Sequence, residues 1–419
     1  MRVLLLGSGG REHALARALA ADQDVSDLHA APGNPGIGRL ADLHQVTLTD
    51  PAEVTRLATT LAADLVVVGP EAPLIAGVGD ALREAGLSCF GPDRAAAMIE
   101  GSKSAAKQIM IAAGIPTAAS RTCSTEAEVS AALDEFGPPY VVKADGLAAG
   151  KGVVVTSDRQ TASAHAAACG QVVIEEFLEG PEVSVFALAD GTNAVPLLPS
   201  QDFKRAGDGD TGLNTGGMGA YAPLPWAPHD LAEQTMAEVI RPAIAELARS
   251  GMPYRGLLYA GLALTGDGLK VIEFNARFGD PETQVILDRL ATPLAGLLAA
   301  AADGGLLAAG TPSWIPGAAV TVVIAAEGYP GQPATGDTIK GVEEAEHPAG
   351  AYVLQAGTAL AEGTLRSAGG RVLNVVGTGA DVAAARAAAY QAAALVSFRG
   401  SWYRTDIADE SRFPSSRPG

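Results

Sequence analysis

Lysine is scarce in this 419-residue chain, which has only Lys103, Lys107, Lys143, Lys151, Lys204, Lys270 and Lys340. Basic charge is short altogether: 29 Lys and Arg face 47 Asp and Glu, a net charge of −18. That excludes nonspecific binding to nucleic acid or to an anionic membrane, since both need a basic surface. A small anionic substrate needs only a local cluster of cations and stays open. Cysteine is nearly absent too: Cys89, Cys123 and Cys169 are odd in number and far apart. They fit neither a disulfide framework nor a zinc site, and a reducing cytoplasm is the simplest setting. Long apolar runs are also missing. Val3 to Leu6 is too short for a signal-peptide core, and glycines with Pro312 and Pro316 break the uncharged stretch 304–326, so no transmembrane helix is expected. The length suits two to four domains.

Four of the seven lysines, Lys103, Lys143, Lys151 and Lys204, lie in glycine-rich or turn-like contexts. The richest is 140–155, where Val141-Val142 and Val153-Val154-Val155 flank Gly146, Gly150, Lys151 and Gly152. β-Branched runs around glycines read as strand, loop, strand. Backbone N–H groups and two ammonium groups there suit a phosphate clamp. The spacing is not a P-loop: only three residues separate Gly146 from Gly150, and a valine run follows in place of a helix. The alternative is a solvated hairpin tip.

The N-terminus opens with a strand from Arg2 to Leu6, then Gly7-Ser8-Gly9-Gly10-Arg11-Glu12-His13 and a helix to about Ala20. This is the start of a doubly wound α/β unit. A dinucleotide fingerprint would need a third glycine at position 12 and an acid ending the second strand, Leu28 to Ala30; neither is present. A helix N-terminus beside Arg11 still suits an anion such as a phosphomonoester. A third strand, Leu65 to Val68, runs into Gly69-Pro70-Glu71, and Gly101-Ser102-Lys103-Ser104 starts a helix to about Ala113.

Downstream, a helix to about Ala168 leads into Val172-Val173-Ile174-Glu175-Glu176-Phe177-Leu178, with Glu182 beyond. A strand turning acidic could read an adenine edge through its backbone and a ribose through a carboxylate. Residues 201–221 show neither helical nor strand periodicity, and their Asp, Asn, Thr and Gly content points to an ordered polar loop. Strands Gly256 to Leu264 and Lys270 to Phe274 form an expected pair. Glu273 and Asn275, two apart, project from one face and suit magnesium, which takes one or two protein oxygens beside substrate phosphates. Arg277-Phe278-Gly279-Asp280-Pro281-Glu282 then sets a carboxylate-binding guanidinium next to acids that could hold an ammonium. From Ala318 a strand to Ala326, short strands, Val372 to Val376 and a helix near Asp381 suggest a compact α+β domain. Gly377-Thr378-Gly379 reads as a turn.

Taken in order, Gly-Ser-Gly-Gly-Arg-Glu-His, Ala-Pro-Gly-Asn-Pro-Gly, Gly-Pro-Glu-Ala-Pro-Leu, Lys-Ala-Asp-Gly-Leu-Ala-Ala-Gly-Lys-Gly, Asp-Gly-Asp-Thr-Gly-Leu-Asn-Thr-Gly-Gly-Met-Gly-Ala-Tyr and Glu-Phe-Asn-Ala-Arg-Phe-Gly-Asp-Pro-Glu closely resemble the glycinamide ribonucleotide synthetases. These are the phosphoribosylamine:glycine ligases of purine biosynthesis, members of the ATP-grasp superfamily. The resemblance spans essentially the whole chain.

It implies an α/β architecture: a doubly wound N-terminal domain (1–102), an ATP-grasp domain (103–313) with a mobile lid at about 118–183, and a small C-terminal α+β domain (314–419). It implies ATP-dependent ligation of glycine to 5-phosphoribosylamine through a glycyl phosphate, forming glycinamide ribonucleotide, ADP and phosphate. Lys103 and Lys143 would hold ATP phosphates under the loop carrying Gly146, Gly150, Lys151 and Gly152. Glu175, Glu176, Phe177 and Leu178 would meet the adenine, Glu182 the ribose, and Glu273 and Asn275 Mg2+ (or Mn2+). The ribose phosphate falls near Gly9, Gly10 and Arg11. Glycine falls near Asp202, Arg277 and Asp280, the last two as catalytic candidates, with Asp210 and Asn214 as further substrate contacts. The expected partners are these small molecules, without nucleic acid or membrane, for a cytoplasmic monomer or weak homodimer. Rival classes are a bicarbonate-using carboxylase of the same superfamily, a nicotinamide dehydrogenase, and a nonenzymatic regulator lacking the phosphate lysines.

Overall fold

The computed structural model describes residues 1–147, 152–347 and 349–414. The N-terminal sheet has the order β3-β2-β1-β4-β5 and comprises β1 (Arg2–Gly7), β2 (Asp27–Pro32), β3 (Asp42–Leu43), β4 (Leu65–Val68) and β5 (Cys89–Phe90). All its pairings are parallel. Val3 to Leu6 and Leu65 to Val68 are buried, as expected of parallel strands covered on both faces. The edge strand β3 has two exposed residues, too short and too polar to stand out in the sequence.

The order reverses between β1 and β4, so the turns leaving their C-terminal ends lie side by side. Glu12, in the helix α1 (Gly10–Ala20), plugs the gap. Its Oε2 accepts from Gly9 N at 2.6 Å, and a Cβ at Gly69 would stand 2.3 Å from its Oε1. A third dinucleotide-type glycine is missing here because this carboxylate has a structural job.

A four-stranded antiparallel sheet, β6-β9-β7-β8, follows: β6 (Ser120–Cys123), β7 (Tyr140–Ala144), β8 (Val153–Thr156) and β9 (Val172–Glu175). The expected hairpin is β7 against β8, from Tyr140↔Thr156 to Lys143↔Val153. Gly150 and Lys151 lie outside the described residues. Helices Glu126–Phe136 and Arg159–Cys169 complete a small core of Leu133, Val142, Ala162 and Ile174.

The larger antiparallel sheet is β11-β10-β16-β17, made of β10 (Glu182–Asp190), β11 (Ala194–Pro196), β16 (Arg255–Thr265) and β17 (Gly268–Asn275). The expected strand pair is therefore present and slightly longer than read. Tyr259 opposes Asn275 and Gly261 opposes Glu273.

Two expectations are corrected. Residues 201–221 are not without strands: they contain β12 (Gln201–Asp202), β13 (Arg205–Gly207), β14 (Thr211–Asn214) and the start of β15 (Gly219–Ala222). Segments of two to four residues are too short to establish periodicity: β13 pairs only with β14, and β12 reaches the larger sheet through β15. β12 and β15 join β18 (Ala318–Ala325), β19 (Ala351–Gln355) and β22 (Arg371–Gly379) in the sheet β12-β15-β18-β22-β19, while β20 (Thr358–Ala361) and β21 (Thr364–Ser367) form a separate hairpin. Gly377-Thr378-Gly379 is the end of β22 and not a turn. Its glycines admit the helix Val382–Ala393: a Cβ on Gly377 would stand 2.3 Å from Ala389 N. No helix among the described residues is long and apolar enough to cross a membrane.

Candidate active site

A cavity of about 580 Å3 opens between the β7–β8–β9 sheet and β17. Lys103, Lys143, Gly146, Gly152, Glu175, Glu176, Phe177, Leu178 and Glu182 line it together with Asp202, Asp210, Asn214, Glu273, Asn275, Arg277 and Asp280. Residues read separately along the chain are thus brought to one wall-to-wall space.

One end is cationic. Ser102 caps the helix Lys103–Ala112 by accepting from Ala105 N at 3.1 Å. Asp145, at the exit of β7, accepts from Ser102 Oγ (3.1 Å) and Ser104 N (3.3 Å), pinning this helix start to the strand end. Lys103 Nζ donates to Gly146 O at 3.1 Å. Lys143 and Lys107 both face the Glu175 carboxylate, with Lys107 Nζ 2.7 Å from Oε2. Lys143 Nζ also donates to Ile272 O at 3.0 Å, tying the small sheet to β17. All three side chains are buried, Glu175 at 3%, Lys143 at 4% and Lys107 at 6% exposure, which is tolerable for charges only because they are paired. Burial pushes the Lys107 ammonium below its usual range, and Glu175 only partly restores it. Lys107 was not singled out in the sequence; its place four residues after Lys103, on the same helical face, was the available signal.

Acidic residues lie beside these cations. Burial would raise the Glu273 carboxyl, but Lys204, Lys143 and Lys103 outweigh it and hold it below the usual range. Lys204 Nζ lies 3.0 Å from Glu182 Oε2 and 3.9 Å from Glu273 Oε1. Burial would lower Lys204, yet Glu182 and Asp202 keep it firmly protonated. Asp202 is pushed up to about 7, first by burial and then by Glu282, Glu182 and Glu273 against the pull of Lys204.

Arg277 is gripped by the N-terminal domain: Nε donates to Glu71 Oε2 at 3.2 Å, and Nη2 stands 3.0 Å from Glu100 Oε1 and 3.3 Å from Asn275 Oδ1. Asp280 accepts from Gln284 Nε2 at 2.8 Å and Arg371 Nη2 at 3.0 Å. Neither Glu71, Glu100 nor Arg371 was marked as a site residue, because their roles depend on partners far away in sequence.

The remaining expected contacts sit differently. Gly9, Gly10 and Arg11 are not on the cavity wall. Arg11 is buried, its Nε bound to Glu12 and its Nη1 donating to Phe278 O at 3.0 Å. A Cβ on Gly9 would stand 3.6 Å from Asp280 Oδ2, so this turn abuts the site from behind. Asp210 lines the cavity, but its carboxylate is committed to Arg404 Nη1 (2.9 Å) and Arg412 Nη2 (3.3 Å).

The chain matches three family models: phosphoribosylglycinamide synthetase N domain over residues 1–100, ATP-grasp (A) domain over 101–283, and C domain over 319–410. It is 60% identical over 410 residues to the phosphoribosylamine–glycine ligase of Streptomyces coelicolor, covering 97% of this chain and 99% of that one. The corresponding Mycobacterium tuberculosis protein is 54% identical over 417 residues, covering 97% of each. The crystal structure of phosphoribosylamine–glycine ligase from Thermotoga maritima superimposes with a TM-score of 0.84 at 35% identity, covering 97% of this chain and all of that one (100%). The biotin carboxylase domain of Hydrogenobacter thermophilus 2-oxoglutarate carboxylase, in complex with MgADP, ADP and bicarbonate, shares the fold at a TM-score of 0.74 and 17% identity, covering 96% and 91%. An ATP-grasp fold, three consecutive domain matches and full-length identity lead to one conclusion: the chain belongs to the phosphoribosylglycinamide synthetase family of phosphoribosylamine–glycine ligases.

Proposed function

We propose that the enzyme transfers the γ-phosphoryl group of ATP to the glycine carboxylate. The amine of 5-phosphoribosylamine then attacks the glycyl phosphate, giving glycinamide ribonucleotide, ADP and phosphate. The observation that carries this reading is a single cavity lined by Lys103 and Lys143 together with Glu273, Asn275, Asp202, Arg277 and Asp280. The cations meet polyphosphate, and the acids and Arg277 meet the two ends of an amino acid. No protein nucleophile is needed, since positioning and charge neutralisation suffice for phosphoryl transfer.

In this assignment Lys103, Lys143, Gly146 and Gly152 hold the phosphates, and the roles of Gly150 and Lys151 rest on sequence alone. Glu175 to Leu178 meet the adenine and Glu182 the ribose. Glu175 would do so while holding two lysines, leaving its backbone and Glu176 to Leu178 for the base. The 5-phosphate sits near the Gly9–Gly10 turn, whose Gly9 N already donates to Glu12 Oε2, with Arg11 adding charge from beneath. Asp202, Arg277 and Asp280 take glycine; Asn214 contacts substrate directly, and Asp210 shapes the wall. Residues 118–183 act as the mobile lid of the 103–313 domain, between domains 1–102 and 314–419.

A divalent cation fits the donor set: an ionised Glu273 and the Asn275 amide oxygen on one strand supply two hard ligands, suited to Mg2+ (or Mn2+) completed by phosphate and water oxygens. When bound, the cation neutralises charge on the transferring phosphoryl group. A cytoplasmic monomer or weak homodimer completes the proposal.

The test is phosphate release from ATP with glycine and freshly made phosphoribosylamine, with bicarbonate replacing glycine in a parallel arm. Release that needs both substrates supports the reading. Release with bicarbonate instead, or none above background from folded protein, overturns it.

A further inference from the structure

Asp280 reaches the cavity from the loop after β17, but what fixes it comes from the C-terminal sheet. Arg371, the first residue of β22, donates through Nη1 to Asp280 O at 2.7 Å and through Nη2 to Asp280 Oδ2 at 3.0 Å. The same Nη1 donates to the carbonyl of Gly216, and it lies 3.4 Å from that of Gly217. Tyr329, in the turn after β18, accepts from Gly216 N at 2.9 Å. One guanidinium therefore joins two stretches of the cavity wall, the 216–217 turn and Asp280.

The turn has no slack. A Cβ on Gly216 would stand 2.9 Å from Arg371 Cζ, and one on Gly217, at φ +108°, would stand 2.4 Å from Pro281 Cδ. With Gln284 on Oδ1 and Arg371 on Oδ2, each Asp280 oxygen has one side-chain donor among the described residues. A carboxylate has about four acceptor sites, so the remaining lone pairs are oriented and free for a cation. Nη1 alone reaches both backbone stretches, and the planar fork adds Nη2 on the Asp280 carboxylate; an ammonium is a point charge that cannot hold the two backbone carbonyls and Oδ2 in the same fixed geometry.

We propose that Arg371 is a positioning residue for the amino-acid substrate, holding the Asp280 carboxylate and the Gly216–Gly217 turn in one geometry, so that the C-terminal sheet sets the affinity for glycine. This rests on the assignment of Asp280 to the glycine ammonium. ATP affinity is independent of it, because Lys143 is anchored through β7, β9 and β17 and Lys103 at its helix start on Gly146 O, neither through Arg371.

The test is steady-state kinetics of Arg371→Lys, Arg371→Met, Asp280→Asn and the Asp280→Asn/Arg371→Lys double variant, with melting temperatures. The expected result is a rise on the order of tenfold in KM for glycine in Arg371→Lys, with KM for ATP changed less than about twofold and the double variant no worse than Asp280→Asn. If Arg371→Met fails to fold, Arg371→Lys decides. An Asp280→Asn enzyme with unchanged KM for glycine removes the assignment of Asp280 and the proposal with it. A raised KM in Asp280→Asn but not in Arg371→Lys overturns the proposal alone. So does a parallel loss of ATP affinity and melting temperature in Arg371→Lys, which marks an ordinary interdomain ion pair.

Discussion

Lys107 Nζ lies 2.7 Å from Glu175 Oε2, and Lys143 holds the other oxygen of the same carboxylate. One buried anion thus serves two buried cations, and the three are energetically unequal. Removing the anion strands two ammonium groups, whereas removing Lys107 leaves a complete pair.

Glu175→Gln should therefore cost about 3–5 kcal/mol of stability, the range for breaking a buried pair. Lys107→Met should cost about half that, because burial already disfavours its charge. Lys143→Ala should in addition weaken ATP binding on the order of tenfold. Urea unfolding and equilibrium ATP binding check all three. Equal destabilisation by Glu175→Gln and Lys107→Met would contradict the shared-anion account.

A pH dependence follows from Arg277. Burial pushes the Glu71 carboxyl up, but Arg277 and Arg11 outweigh it and lower it below its ordinary 4.5. Its stabilising contribution is thus present above the unfolded value and lost as pH falls through the folded one. Glu100 has the opposite sign: burial outweighs Arg277 and raises it. Its contribution is full below 4.5 and lost as pH rises through the folded value. In Arg277→Met both acids lose their partner, and the deficit relative to wild type should be smaller at about pH 4 than at about pH 8, where it should reach about 3–5 kcal/mol. Unfolding midpoints across that interval measure it; a deficit independent of pH would show that Arg277 acts by packing alone.

Arg404 predicts a local effect on the wall. It is 1% exposed, donates to both Asp406 oxygens at 2.7 Å, to Asp210 Oδ1 at 2.9 Å and to Arg205 O at 3.0 Å, and lies over the Phe203 ring. Arg404→Met should accelerate amide exchange in 205–214 while leaving 120–175 unchanged, and destabilise by about 3 kcal/mol or more. Arg412→Gln, at a partly exposed pair, should cost less than about 1 kcal/mol. Hydrogen exchange resolved by segment checks both.

Local chemistry alone determined much of this protein. Valine runs around 141 and 153, Ser102 before Lys103, the Gly9 turn before α1, and Glu273 beside Asn275 all act through neighbours a few residues away, so strand, cap and shared face are written in their spacing. The order of such motifs carried the family. Only the tertiary structure decided the rest. Glu12 replaces a fingerprint glycine because it fills the gap between two strand ends. In the 201–221 stretch β15 is a strand because β18 offers it an edge, while β13 and β14 pair with each other, and Gly377 and Gly379 leave room for the helix that crosses their strand. Glu71, Glu100 and Arg371 gain their roles from Arg277 and Asp280, which fold beside them across 91 to 206 positions of chain. Such charges are indistinguishable from solvated ones until packing removes the water around them.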